Sequence, residues 1–350
     1  MHAYPSGLAR TGEQARAKLD LVGVAVLGLS ILWISIAAAD RAARIMPGVL
    51  LLLALAAAYV IGRTAGVPHA VTLPAMVACV IALLLALGSS GARSVAPPLG
   101  YGNANGALGV QGIAAAVMAA VSSWHPTSRR TLYAVAALLL IETGLTRSLA
   151  ATLTGVVVLG TGLIAPVVRG RRLLAASGLL VICSGVVATT VIGARYQPHQ
   201  RTPESVAVAQ DVLSSRRVQL WHDAVTMVRD DPVRGVGPGR FSVESPTARS
   251  DPDARWAHSA ALQQAAEQGL PGVVLLGAMV GWAFAVLIRS PRPDPLIACA
   301  LAGLIAFVVQ ASVDYIAYFP AIPIVLVLLL GVVAAPLPPG GLPQPRKLRR

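Results

Sequence analysis

In the segment RGVGPGRF, residues 234–241, every second residue from 235 to 239 is a glycine, and an arginine stands on either side of the three glycines. The chain as a whole is 55% hydrophobic. Such spacing of glycines lets consecutive backbone amides turn toward one anion, as in phosphate-binding loops. The segment has no Gly-Lys-Ser/Thr ending, no preceding soluble strand and no following helix at the right offset, which argues against P-loop and dinucleotide sites. Two interpretations stay open: a turn that connects two helices, or an anion-binding nest helped by Arg234 or Arg240.

A second candidate group surrounds Arg217, which lies four residues before Trp221 in the segment SSRRVQLWHDAVTMVRDDP. Its apolar residues recur at helical spacing, which predicts an amphipathic helix on the outer leaflet, with the wet edge of Trp221 at the interface. Ser214 or Ser215 is placed to cap the start of this helix. Arg217 would lie at headgroup depth, where it either binds a ligand anion or pairs with phospholipid.

His258 begins the segment HSAALQQAAEQGLPG. The pattern predicts a helix that starts at His258, ends at Gly269 and resumes at Pro271 as a membrane span. A histidine at a helix start beside a membrane can exchange a proton near neutral pH. No other histidine has metal-ligand spacing with His258, so no metal site is expected.

Further polar residues lie at the ends of apolar runs. Arg147, in TGLTRSLAA, follows Glu142 by five residues, and charges at membrane depth are costly and usually functional. The alternative is a structural ion pair between the two. Asp314 is a weaker case of the same kind. In GYGNANG, Asn103 and Asn105 either hydrogen-bond into a cavity or form a turn.

Membrane helices must position these residues. The mean hydropathy is +0.70 and 12% of the residues are charged, against about 25% in soluble domains. The sequence predicts an all-α polytopic membrane protein with about ten spans, since each span needs about 20 apolar residues. The predicted spans are 21–39, 45–62, 71–89, 105–122, 131–146, 149–168, 173–193, 271–288, 295–313 and 317–335.

Basic residues predict the orientation. With the N-terminus inside, the cytoplasmic loops and tails carry fifteen arginines and lysines and the short outer loops carry four, so both termini are expected in the cytoplasm. The net charge of +13 then lies at helix ends and does not predict nucleic acid as a partner. The expected organisation is a cytoplasmic tail 1–20, seven spans in 21–193, an extracytoplasmic loop 194–270 with amphipathic helices, three spans in 271–335 and a basic cytoplasmic tail 336–350.

Together these segments resemble the O-antigen ligase family, which includes oligosaccharide repeat-unit polymerases. The family pattern has G-x-x-N-x-N at the start of a span, S/T-R-S/G at the end of a later one, then R-x-x-x-W and P-x-x-G-x-G-x-x-x-F. It closes with H-N/S-x-x-L-x-x-x-x-E-x-G-x-x-G. This chain has GYGNANG, TRSLA, RVQLW, PVRGVGPGRF and HSAALQQAAEQGLPG in that order. It departs from the pattern in its ten predicted spans, where ligases often have twelve, and in Ser259, where asparagine is commoner.

The resemblance implies a GT-C-like membrane glycosyltransferase that moves a glycan from an undecaprenyl-diphosphate carrier to a glycan or lipid acceptor. The implied place is the outer face of the bacterial cytoplasmic membrane. It assigns Arg147 and Arg217 to the diphosphate and His258 to the acceptor hydroxyl, with no metal or other cofactor. Further substrate contacts are expected from Arg216, Arg234, Arg240, Gly237, Asn105 and Trp221.

Three alternatives stay open beside a ligase. A repeat-unit polymerase of the same superfamily would use the same donor. A polytopic transporter would also have many spans and intramembrane charge, but its polar residues should cluster at a midplane helix break rather than in an outer loop. A structural partner in an envelope assembly is the third.

Overall fold

The computed structural model describes residues 6–67, 69–89, 98–165, 171–196, 206, 214–251 and 254–336. Within these residues the chain is helical and contains no strand. The elements in chain order are α1 (Ser6–Ala38), α2 (Met46–Ala65), α3 (Thr72–Ser89), α4 (Gly102–Ser122), α5 (Pro126–Leu145), α6 (Leu149–Ile164), α7 (Arg171–Arg195), α8 (Ser215–Asp230), α9 (Phe241–Glu244), α10 (Pro246–Ser250), α11 (Ala260–Ile288), α12 (Asp294–Val313), a 3₁₀ turn (Ile316–Tyr318) and α13 (Ala321–Ala334).

Five helices in the described part of the chain are long and apolar enough to cross a membrane, which makes this a polytopic membrane protein. They are Arg16–Ala38, Met46–Ala65, Gly102–Ser122, Ala260–Ile288 and Asp294–Val313. The other predicted spans fall on helices whose apolar stretches have fewer than 18 residues, or on α5, which carries two arginines and a buried glutamate. The number ten therefore stays a prediction.

Some predicted boundaries fall on helices or outside the described residues. The first helix already begins at Ser6, so it includes most of the predicted tail 1–20. Almost all of the basic tail 336–350 lies outside the described residues, as do 197–205 and 207–213 of the large loop.

The chain divides into two compact units, Met1–Leu52 with Val186–Arg289, and Leu53–Gly185 with Ser290–Arg350. In the first unit, α1 packs along α11, and α8 packs against the start of α11. The indole N–H of Trp33 donates to the carbonyl of Gln268 at 2.9 Å, and that of Trp282 donates to the carbonyl of Leu19 at 2.9 Å. These bonds fix α1 and α11 side by side.

In the second unit, α4 is the central helix. It packs against α3, α5, α6, α12 and α13, and its residues from Ala104 to Ala120 are buried. Small residues allow this close packing: a Cβ on Gly109 would overlap Oγ1 of Thr143, and a Cβ on Gly112 would lie 3.0 Å from a methyl of Ile81. The small residues thus let the surrounding helices approach α4 closely.

Candidate functional site

The helix that carries Arg217 is amphipathic, as predicted, and Ser214 caps it by accepting a hydrogen bond from the N–H of Arg217 at 3.4 Å. Its apolar side packs into a protein core with Phe241 and Leu262. Trp221 is fully buried in that core. The expectation of a wet indole edge at the membrane interface is therefore wrong. An apolar stripe has the same sequence pattern whether lipid or protein covers it.

His258 lies just before α11, which begins at Ala260, two residues later than predicted. Its φ of +49° is in the left-handed region, which is costly for a residue with a side chain. The carbonyl of His258 accepts a hydrogen bond of 3.3 Å from Nε1 of Trp221. Thus the helix that carries Arg217 also holds the backbone of His258.

Ser259 is the N-cap of α11, and its Oγ accepts from the N–H of Leu262 at 3.5 Å. Next to it, the N–H of Ala257 donates to Oε1 of Gln263 at 2.7 Å. Serine and asparagine are both strong N-cap residues. The departure of Ser259 from the family pattern is thus neutral for the local structure.

The glycine loop connects α8 to α9 and turns back onto α11. Gly235, Gly237 and Gly239 all have positive φ. The N–H of Val236 donates to the carbonyl of Ala266 at 2.8 Å, and that of Gly237 to the carbonyl of Glu267 at 3.0 Å. The loop therefore forms a connector that is latched to α11.

The anion that this loop holds belongs to the protein. The N–H groups of Gly239 and Phe241 donate to the carboxylate of Glu267 at 2.9 and 3.2 Å, and Nε2 of Gln263 donates to it at 2.8 Å. Glu267 is only 5% exposed. The predicted nest thus contains a side-chain carboxylate, and the amides of Gly239 and Phe241 are already used.

The other side of the loop is anchored to residues 39–44, which follow α1. Nη2 of Arg41 contacts Asp231 at 2.6 Å, and Arg41 also donates to the carbonyl of Gly235. The N–H of Arg234 donates to Asp231 at 2.9 Å, and this bond, with help from Arg41, holds the pKa of Asp231 below its usual value. These contacts anchor the glycine loop to residues 39–44.

The arginines expected to bind substrate are engaged with protein groups. Arg234 donates to the carbonyl of Ala39, and Arg240 forms an ion pair with Glu244 and donates to the carbonyl of Ala42 at 3.3 Å. In this structure their contacts hold the loop. Arg216 forms an ion pair with Asp251, which ties α8 to the segment after α10.

In the second unit, Arg147 is exposed and occupies the turn between α5 and α6, with a φ of +59°. Ser148 caps α6 by accepting from the N–H of Ala151 at 3.4 Å. Oε2 of Glu142 is buried and receives no hydrogen bond from the described residues. The alternative interpretation, an ion pair of Glu142 with Arg147, is not observed.

The turn that carries Arg147 lies against the start of α4. A Cβ on Gly102 would lie 2.9 Å from the carbonyl oxygen of Thr146, and a Cβ on Gly106 would lie 2.8 Å from Oγ1 of the same threonine. Asn105 is 3% exposed, and its Oδ1 accepts from the N–H of Leu99 at 3.0 Å. Asn105 thus holds the turn that enters α4, the second role foreseen for it.

Sequence reasoning named the candidate residues but missed several of their hydrogen-bond partners. Arg217 and His258 share the first unit and are linked through Trp221, whereas Arg147 belongs to the second unit. The role of Glu267 was missed, although it stands in the motif as the E of E-x-G and lies four residues after Gln263. Among the described residues, no group of three His, Cys, Asp or Glu side chains is placed to bind a metal ion.

The family model described as O-Antigen ligase matches residues 132–277. The match includes Arg147, Arg217, His258 and the whole glycine loop, and it ends inside α11. No curated protein matches the chain.

Proposed function

We propose that this chain, whose residues 132–277 match the O-Antigen ligase family model, belongs to that family and transfers a glycan from an undecaprenyl-diphosphate carrier to an acceptor at the outer face of the cytoplasmic membrane. One observation carries the proposal: Trp221, one helical turn after Arg217, donates to the carbonyl of His258 at 3.3 Å. An anion-binding arginine and a proton acceptor are thereby tied to one rigid core.

The reaction breaks the bond between the sugar C1 and the diphosphate oxygen and forms a bond between C1 and an acceptor oxygen. Negative charge grows on the departing diphosphate, and Arg217 and Arg147 stabilise it through charge-assisted hydrogen bonds. His258 takes the proton of the acceptor hydroxyl. The energy comes from the donor bond, and the guanidinium groups take the place of a metal ion.

Backbone strain gives independent support. In the described part of the chain, four non-glycine residues have positive φ: Asp40, Arg147, Ser214 and His258. Two of them are residues to which the proposal assigns chemistry. Strained conformations persist where the surrounding structure fixes them, and they concentrate at functional sites.

The test uses the full chain in nanodiscs with a labelled undecaprenyl-diphosphate glycan and an acceptor glycan, scored for transfer and for release of carrier diphosphate. Arg217→Ala, Arg147→Ala and His258→Ala should each lower the rate by about 100- to 1,000-fold, the effect of losing one well-placed group in other enzymes. Arg249→Ala is the matched control, because Arg249 is an exposed arginine of the same loop.

The result also separates the alternatives. A growing lipid-linked chain indicates a polymerase, and transfer to a different acceptor indicates a ligase. Uptake of substrate into vesicles without transfer would indicate a transporter. Release of carrier at the wild-type rate by the Arg217 and His258 variants would refute the proposed mechanism.

A further inference from the structure

Three aromatic rings lie together in the second unit where α4 begins and α12 ends. The centroids of Tyr101 and Tyr315 are 4.8 Å apart, those of Tyr101 and Phe319 are 5.8 Å apart, and those of Tyr315 and Phe319 are 5.6 Å apart. The planes of each pair differ by 14° to 34°. All three residues are half-buried, so the rings form a stepped and partly open aromatic surface.

Polar groups border the rings. The hydroxyl of Tyr101 donates to Oδ2 of Asp314 at 2.8 Å, and Nδ2 of Asn103 contacts both that carboxylate and the Tyr101 hydroxyl. The N–H of Tyr315 donates to Oδ1 of Asp314 at 2.7 Å. Asp314 is 5% exposed, and these bonds orient its carboxylate.

This combination has the chemistry of a sugar-binding surface. The negative face of an aromatic ring attracts the slightly positive C–H groups on one face of a pyranose. The carboxylate of Asp314 already accepts three hydrogen bonds within the cluster, so it fixes Tyr101 and Asn103 in place. The amide oxygen of Asn103 is a hydrogen-bond acceptor of the kind that suits a sugar hydroxyl.

The cluster is also adjacent to the turn that carries Arg147. Tyr101 directly precedes Gly102, whose Cα faces the carbonyl of Thr146 so closely that a Cβ would lie 2.9 Å from it. Arg147 directly follows Thr146 in the sequence. In a diphosphate-linked glycan, the first sugar is bonded directly to the diphosphate, so a site for that sugar must lie beside the group that binds the diphosphate.

We propose that Tyr101, Tyr315 and Phe319, with Asn103, bind the pyranose that is attached to the carrier diphosphate, and that Asp314 positions Tyr101 and Asn103. This inference rests on the proposed function, because it assigns Arg147 to the diphosphate. The carrier-linked sugar and an acceptor glycan both contain hexopyranose rings, so either could bind to these aromatic residues. The test distinguishes binding of the carrier-linked sugar from binding of the acceptor.

The test measures binding to the full chain in nanodiscs without an acceptor, so that no transfer occurs. The probes are undecaprenyl diphosphate, the same lipid carrying one of a panel of hexoses and N-acetylhexosamines, and the same sugars as free oligosaccharides. Tyr315→Leu and Phe319→Leu should weaken binding of at least one glycosylated carrier by roughly 5- to 10-fold, the worth of a stacked aromatic contact. Binding of bare undecaprenyl diphosphate should change less than about 2-fold.

Tyr315→Phe is the matched control, because it keeps the ring and should retain sugar binding. A loss of binding confined to free oligosaccharides would assign the cluster to the acceptor and overturn the inference. Folded leucine variants that keep the wild-type preference for glycosylated over bare carrier would also overturn it. If those variants do not fold, magnetisation transfer from tyrosine and phenylalanine rings to sugar protons is measured on the wild type, and its absence refutes the inference. Preferential binding of glycosylated carrier in this test, together with no transfer when an acceptor is supplied in the transfer assay, would instead refute the proposed function alone.

Discussion

The backbone N–H of Gly239 donates a hydrogen bond of 2.9 Å to the buried carboxylate of Glu267. A glycine loop with the spacing of an anion nest therefore carries its anion on the neighbouring helix of the same chain. The role of the loop is to hold α11, and so Ser259 and His258 before it, in a fixed position relative to α8.

Glu267→Ala should destabilise the protein and Glu267→Gln should do so much less. The alanine variant leaves three donors without their acceptor, and the two buried ones, on Phe241 and Gln263, each cost about 1–3 kcal/mol, whereas the exposed N–H of Gly239 can bond to water. Glutamine keeps one acceptor oxygen in place. Thermal unfolding in nanodiscs measures the stability of both variants. An alanine variant as stable as the wild type would show that the hydrogen bonds to Glu267 do not hold the loop on α11.

Gly269→Ala should lower both the unfolding temperature and the transfer rate. The φ of Gly269 is +67°, and a Cβ there would overlap the carbonyl oxygen of Val233. At Gly277, in the same helix, an added Cβ would meet no other atom within 4 Å, so Gly277→Ala should be neutral or slightly stabilising through helix propensity. Equal effects of the two substitutions would show that the close approach at Gly269 is unimportant.

Trp221→Phe should lower the transfer rate by about 5-fold while the protein stays folded. Phenylalanine fills most of the buried space but removes the hydrogen bond to the carbonyl of His258, which is worth about 1 kcal/mol and fixes a strained residue. Trp124→Phe is the control, because Trp124 is 57% exposed. An unchanged rate in Trp221→Phe would mean that His258 needs no such support.

Local chemistry predicted the parts of this structure that depend on near neighbours. Ser214 caps α8 and Gly269 interrupts α11, as the sequence indicates, because caps and glycine breaks act within one turn of helix. The hydrogen bonds from Gly239 and Phe241 to Glu267 join residues that are 28 and 26 positions apart, and no local propensity encodes such a contact. The burial of Trp221 was missed for a related reason, since hydropathy does not distinguish a protein core from lipid.

The acid sensitivity of the loop anchor should depend on Asp231. The N–H of Arg234, followed by Arg41, lowers the pKa of Asp231 in the folded protein from the ordinary aspartate value of about 3.9. A lowered folded pKa contributes stability that is fully present above the unfolded pKa and is lost as the pH falls through the folded pKa. The Asp231 side chain is 38% exposed, so the contribution is modest.

The unfolding temperature of the wild type should therefore exceed that of Asp231→Asn by a constant amount between about pH 5 and pH 7, and the difference should shrink below about pH 4. Asp230→Asn is the matched control, since Asp230 is the exposed neighbour at the end of α8. A difference that persists unchanged to about pH 3 would mean that the carboxylate charge does not anchor the loop. In that case the hydrogen bonds of Arg41 to the carbonyls of Arg234 and Gly235 would be the anchor instead.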